Sequence, residues 1–108
     1  MPTTYKVLGQ SNPAANTDTT LYTVPSATSA IVSTINVANL GTSGTFRIAV
    51  RVAGASIANE DYLAFDIPLN ANDSIAYTLG ITLAATDVIT VRANNISFAF
   101  NAFGSEIT

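Results

Sequence analysis

Residues 45–52 alternate without a break. Phe46, Ile48, Val50 and Val52 point one way, and Arg47, Ala49 and Arg51 point the other. A period of two places this segment in an antiparallel strand with one buried face and one wet or interfacial face. Sequestering the four large side chains contributes about 1.5 to 3 kcal/mol each, before the entropy cost of ordering them. A chain built on such a strand must supply partners for both of its edges and a second layer for its apolar face.

The rest of the sequence supplies them. Residues 4–10 predict a first strand, with Tyr5 and Val7 on one face and Lys6 and Leu8 on the other. Pro13 and its flanking Asn residues then make a loop, so residues 1–17 form an N-terminal strand or arm followed by a loop. Residues 19–24 are a short strand stopped by Pro25. Residues 29–39 are the longest, with Ile31, Ile35 and Val37 sharing a face. Gly41 and Gly44 mark a hairpin loop before residues 45–52. Residues 54–61 are a connection too short to stand as a helix. In residues 62–67, Leu63, Phe65 and Ile67 are expected inward, and Pro68 ends the strand. Ile75, Tyr77 and Leu79 form the next inward set.

Ile81 and Leu83 close that apolar segment ahead of a polar corner at residues 84–87. There the Asp87 side chain can bond the turn backbone. Strands over residues 87–93 and 96–103 follow, the last with Ile96, Phe98 and Phe100 at period two and an end at Gly104. The count is about eight short strands with turn signals between them and no convincing helix. Residues 1–108 therefore read as a single all-β domain, an antiparallel β-sandwich that is either plain or jelly-roll-like, a choice that strand pattern does not make.

Composition narrows the chemistry. The chain has neither cysteine nor histidine, which removes disulfides, thiolate metal sites and the commonest general base. Charged residues are 10% of the chain, against roughly 25% in an average globular domain. With so few charges and a positive mean hydropathy, part of the surface is expected to be hidden against other subunits. The net charge of −3 does not suit nucleic acid, which needs clustered Lys and Arg. No apolar run reaches the length of a membrane span, and the N-terminus lacks the pattern of a secretory signal. The expectation is a protein made in the cytoplasm that stays soluble or assembles there, without a cofactor.

The seven carboxylates sit mostly at turns and strand edges, where solvation and turn bonding explain them better than an acid/base pair. Asn59-Glu60-Asp61 is the best place for calcium, yet no Asp-x-Asp-x-Asp-Gly loop surrounds it. Without histidine, only a Ser-Lys pair could make a nucleophile, and the single Lys6 lies in the first strand. Tyrosines could stack on sugars, although tryptophan is absent. Arg47 and Arg51 share a strand face roughly 13 Å apart. They are either two solvated charges or a docking face for a neighbouring subunit, and they are the candidate interface residues.

Several segments carry a resemblance. Tyr5-Lys6-Val7-Leu8-Gly9-Gln10, Leu21-Tyr22-Thr23-Val24-Pro25, Val32-Ser33-Thr34-Ile35, Phe46-Arg47-Ile48-Ala49-Val50-Arg51 and Tyr62-Leu63-Ala64 are among them. So are residues 79–87 and the ending Phe103-Gly104-Ser105-Glu106. Together they resemble small virion structural proteins of tailed bacteriophages, of the cyanophage and prophage type. The Tyr-Thr-Val-Pro step is shared by phage proteins from different parts of the particle, so it leaves the location open. The final third is also similar in pattern to trimeric C1q/TNF-like jelly rolls, with Thr86 where a glycine is usual.

The resemblance implies a non-enzymatic sandwich that decorates or cements a capsid, made in the host cytoplasm and resident in the virion. Its partners would be capsid or other virion proteins. A tail, baseplate or fibre component is the alternative, and a carbohydrate-binding attachment module the second. Low charge and edge strands near both termini further predict a homo-oligomer, dimer or trimer.

Overall fold

The computed structural model describes residues 2–108, which form nine strands and two single-turn 3-10 helices. The strands are β1 (Thr3–Ser11), β2 (Thr19–Thr23), β3 (Ser29–Asn39), β4 (Gly44–Arg51), β5 (Tyr62–Leu69), β6 (Ser74–Tyr77), β7 (Ile81–Leu83), β8 (Val88–Ala93) and β9 (Phe98–Ile107). One sheet runs β1-β9-β3-β6 with β7 also on β3, and the other runs β2-β8-β4-β5. Every pairing is antiparallel.

β6 and β7 lie end to end along β3, β6 against Ile35 to Ala38 and β7 against Ala30 to Val32. Taken as one interrupted strand, they complete the order of a jelly roll, in which successive strands, β4 and β5 excepted, cross between the two sheets. The break comes at Gly80, whose φ of 63° suits glycine.

The apolar faces meet in one core. Phe46 of β4 sits at its centre, with ring centroids 6.1 Å from Phe98, 6.1 Å from Phe100 and 6.2 Å from Tyr77. Ile35, Val37, Ile48, Ile89 and Val91 close around these rings and are fully buried. The clean alternation of β4 is thus what joins the two sheets.

Bulges explain where side-chain faces depart from simple alternation, since one extra residue reverses every side chain beyond it. The pairing of β3 with β9 shifts between Val32 and Thr34. Ala30 and Val32 therefore point inward on one side of the shift and Ile35 and Val37 on the other, while Ile31 faces out. β5 carries two such shifts. They turn Ala64, Ile67 and Leu69 toward the core and leave Leu63 and Phe65 41% and 52% exposed, the reverse of the expected inward set for the first two. Pro68 does not end this strand; β5 is a sheet edge, where a residue without an N–H is tolerated.

Other expectations are corrected at the element ends. Residues 40–43 are a crossing between sheets and not a hairpin loop, because β3 and β4 belong to different sheets. Buried Asn39 holds the crossing: its Nδ2 donates to the carbonyls of Thr42 and Leu69, and its Oδ1 accepts from Gly41 N–H. Val52 leaves the sheet for a 3-10 turn (Val52–Gly54), and Leu79 is exposed at the β6–β7 break. Ile96 lies in the loop before β9 and is exposed.

β9 continues beyond Gly104 to Ile107. Glycine is required there by close approach, since a β-carbon would collide with the carbonyl oxygen of Ile31. β9 is also interior to its sheet, between β1 and β3, so of the two terminal strands only β1 is an edge.

At the β7–β8 corner Thr86 adopts φ of 72°, a conformation that disfavours a β-branched residue. The departure from glycine noted in the sequence is therefore one of local strain. Thr86 is solvent-exposed, so Thr86→Gly removes little contact. It is expected to raise stability by about 0.5 to 1 kcal/mol, the relief of the left-handed backbone exceeding the added freedom of the unfolded chain. Urea unfolding of the two proteins checks this.

Candidate interaction surfaces

The two outer faces of the sandwich differ in chemistry. On the four-stranded sheet, β4 presents Arg47 and Arg51 outward, as the alternation predicts, and β8 presents Arg92 beside Arg47 in register. Each arginine is engaged within the chain. Arg47 forms a two-pronged pair with Asp66, Nε to Oδ1 at 2.7 Å and Nη2 to Oδ2 at 3.3 Å. Its guanidinium carbon also lies 4.1 Å from the centroid of the Phe65 ring.

Asp66 reaches this position because its φ is 51°, a left-handed turn that aspartate tolerates, at the bulge of β5. Hydrogen bonding from Arg47 holds the Asp66 carboxyl below the usual range. Phe65 in turn meets Tyr62 edge-on at 4.8 Å between centroids. Arg92 pairs with Asp18 at 3.4 Å.

Arg51 has a different task. Its Nε donates to the Ala55 carbonyl at 2.7 Å and its Nη2 to the Gly54 carbonyl at 2.6 Å. These bonds fasten the 3-10 turn that follows β4. Of the candidate interface pair, Arg47 lies in an exposed aromatic and ionic cluster, whereas Arg51 is committed to its own backbone.

Three further carboxylates have local partners. Asp87 is buried and accepts from Ala84 N–H through Oδ2 and from Ala53 N–H through Oδ1, both at 2.9 Å. The expected corner bond is present, and with it comes a tie from the corner to the turn after β4. Asp61 turns back to accept from Ala58 N–H, and Asp73 accepts from Ser74 N–H. Among the described residues no three potential metal-ligating side chains gather into a site. Among the described residues no helix is long and apolar enough to cross a membrane.

One polar network lies between the sheets, and spacing in the sequence gave no sign of it. Glu106 of β9 accepts from Lys6 Nζ of β1 at 3.1 Å and from the buried Tyr22 hydroxyl of β2 at 2.5 Å. The Tyr22 hydrogen bond, helped by Lys6, holds the Glu106 carboxyl below the ordinary glutamate range. Burial foremost, and then Glu106, push Tyr22 well above the ordinary tyrosine range.

A carboxyl whose folded pKa is depressed stabilises the fold above its unfolded pKa, and that stability is lost as pH falls through the folded value. Glu106→Gln is therefore expected to be less stable than the parent at neutral pH. The difference should shrink as pH drops below the ordinary glutamate range. Urea midpoints measured from pH 7 to pH 3 check this; a constant difference across that range would show that the charge of Glu106 is not the source.

No protein-family model matches the chain, and no curated protein matches it. What the geometry defines is an antiparallel jelly-roll sandwich with one ionic and aromatic outer face and one uncharged outer face.

Proposed function

We propose that this chain is a non-enzymatic structural protein of a tailed-phage virion, a decoration or cement module that adds contacts between shell subunits. The observation that carries this reading is the outer face of the four-stranded sheet. There Phe65 stands exposed against the Arg47 guanidinium, and Leu63 of the same strand is exposed as well. Aromatic residues and arginine are the side chains enriched where protein surfaces meet. The resemblance of the strand segments to phage virion proteins supplies the particle. The jelly roll adds support by analogy, being common in viral capsid and lectin domains.

In this role Phe65 and Leu63 supply apolar contact area, and Arg47, oriented by Asp66, supplies a directed polar contact. The partner is a shell subunit, reached after synthesis in the host cytoplasm. A surface with few ions can be covered with little desolvation cost. A tail, baseplate or fibre location is the second reading, which the Tyr22-Thr23-Val24-Pro25 step, shared across virion locations, leaves open. Copy number separates the two readings. Mass spectrometry of purified particles, referenced to the major shell protein, is expected to give copies on the order of hundreds, as multisite shell binding requires. A few or tens of copies would move the protein to the tail, and absence from particles would remove both readings.

A further inference from the structure

Lys6 and Glu106 are the only charged residues in the strands of the five-stranded sheet among the described residues, and they bond to each other. Glu106 is in register with buried Ala30 and reaches Tyr22 of the opposite sheet, so this pair lies on the inner side. The outer side is left with Ser, Thr, Asn, Gln and Ala around a cluster of large apolar side chains. Tyr5 is 84% exposed, Val7 47%, Ile31 39% and Phe103 38%.

The register makes these four neighbours. Tyr5 and Ile31 flank Ser105 from the two adjacent strands, and Val7 pairs with Phe103. Ser105, only 8% exposed, floors a groove lined by Tyr5, Ile31, Ser33 and Phe103 and, at its β1 side, by Lys6, whose charge is matched by Glu106. The opposite outer face, with Arg47, Arg51 and Arg92, has nothing comparable in neutrality.

Charge and area select the occupant. A two-fold pair sets a surface against itself, so any net charge on that surface meets its own sign. The five-stranded face carries no net charge to repel, because Lys6 at its rim is neutralised by Glu106 at 3.1 Å. At standard strand rise and spacing, it measures on the order of 34 by 19 Å, or about 650 Å². That lies within the roughly 600 to 1,000 Å² per partner of specific interfaces, at the lower end. The free edge of β1 is a poorer contact, because it carries Lys6 and a bulge between Val7 and Gly9, two devices that block strand addition.

We propose that the outer face of the five-stranded sheet binds a second copy of this chain, face to face about a two-fold axis. Tyr5, Ile31 and Phe103 of each copy fill the groove of the other. The pairing is a property of the free protein and holds whether or not the dimer sits on a virion.

Sedimentation equilibrium of the purified protein up to roughly 100 μM is expected to show a monomer–dimer equilibrium. Tyr5→Glu with Ile31→Glu should weaken the dimer on the order of 100-fold or more, with an unchanged far-ultraviolet circular dichroism spectrum. Tyr5→Lys with Ile31→Lys should do the same, and mixing the two variants should restore a dimer, because opposite charges then meet. Should a double variant fail to fold, the single Tyr5 substitutions give the same readout at a nearly fully exposed position. A monomeric or trimeric parent, a dimer that survives the Glu variant, or a mixture that stays monomeric would each overturn the proposal.

Discussion

Phe46→Ala is expected to lower stability by about 4 kcal/mol, the largest effect of any single side chain in this protein. Phe46 is 1% exposed and its ring touches the aromatic rings of β6 and β9 from the opposite sheet. Truncation removes the apolar transfer energy and leaves a cavity between two sheets that cannot close independently. In a domain of this size the melting temperature should fall by about 15 °C or more. Val50→Ala, on the same strand face but only partly buried, should cost much less, on the order of 1 kcal/mol. Equal losses at the two positions would mean that the core is not centred on Phe46.

Asp87→Ala is expected to cost about 3 kcal/mol. The carboxylate bonds the backbone of two separate segments, the β7–β8 corner and the turn after β4. The carbonyl of the same residue accepts from Val24 N–H, just past the end of β2. Removing the side chain strands two partly buried N–H groups at once. Asp87→Asn keeps one acceptor oxygen but turns an NH2 donor toward the other N–H, so about 2 kcal/mol should still be lost. Urea unfolding measures both. A loss under about 0.5 kcal/mol for the alanine variant would mean that water replaces the carboxylate without penalty.

Strand existence was legible because period-two alternation survives in single segments, as in β4, and because proline, glycine and Asx residues mark the corners. The 29–39 strand and the Asp87 corner were readable on those grounds. Facing was legible only where strands lack bulges. In β5 the bulges at Leu63 and Asp66 turned Leu63 and Phe65 outward. The one local hint was Asp66 itself, an aspartate between the large apolar residues Phe65 and Ile67, of a type that tolerates positive φ.

Pairing partners were not legible. Nearly every strand of a jelly roll pairs with one distant in sequence, and no local pattern encodes that. The same limit hid the Lys6–Glu106–Tyr22 network, whose members lie up to 100 positions apart. Arg47 and Arg51 were readable as sharing a face. Their different uses depend on a bulge in β5 and a turn after β4 that alternation does not report.

The most direct measurement of the proposed role is cryo-electron microscopy of purified particles that carry this chain. At subnanometre resolution, the expected result is density for the sandwich at repeating positions on the outer shell. The face bearing Arg47, Leu63 and Phe65 should lie against the shell subunits. Density confined to the tail, or a shell without it, would contradict the decoration role.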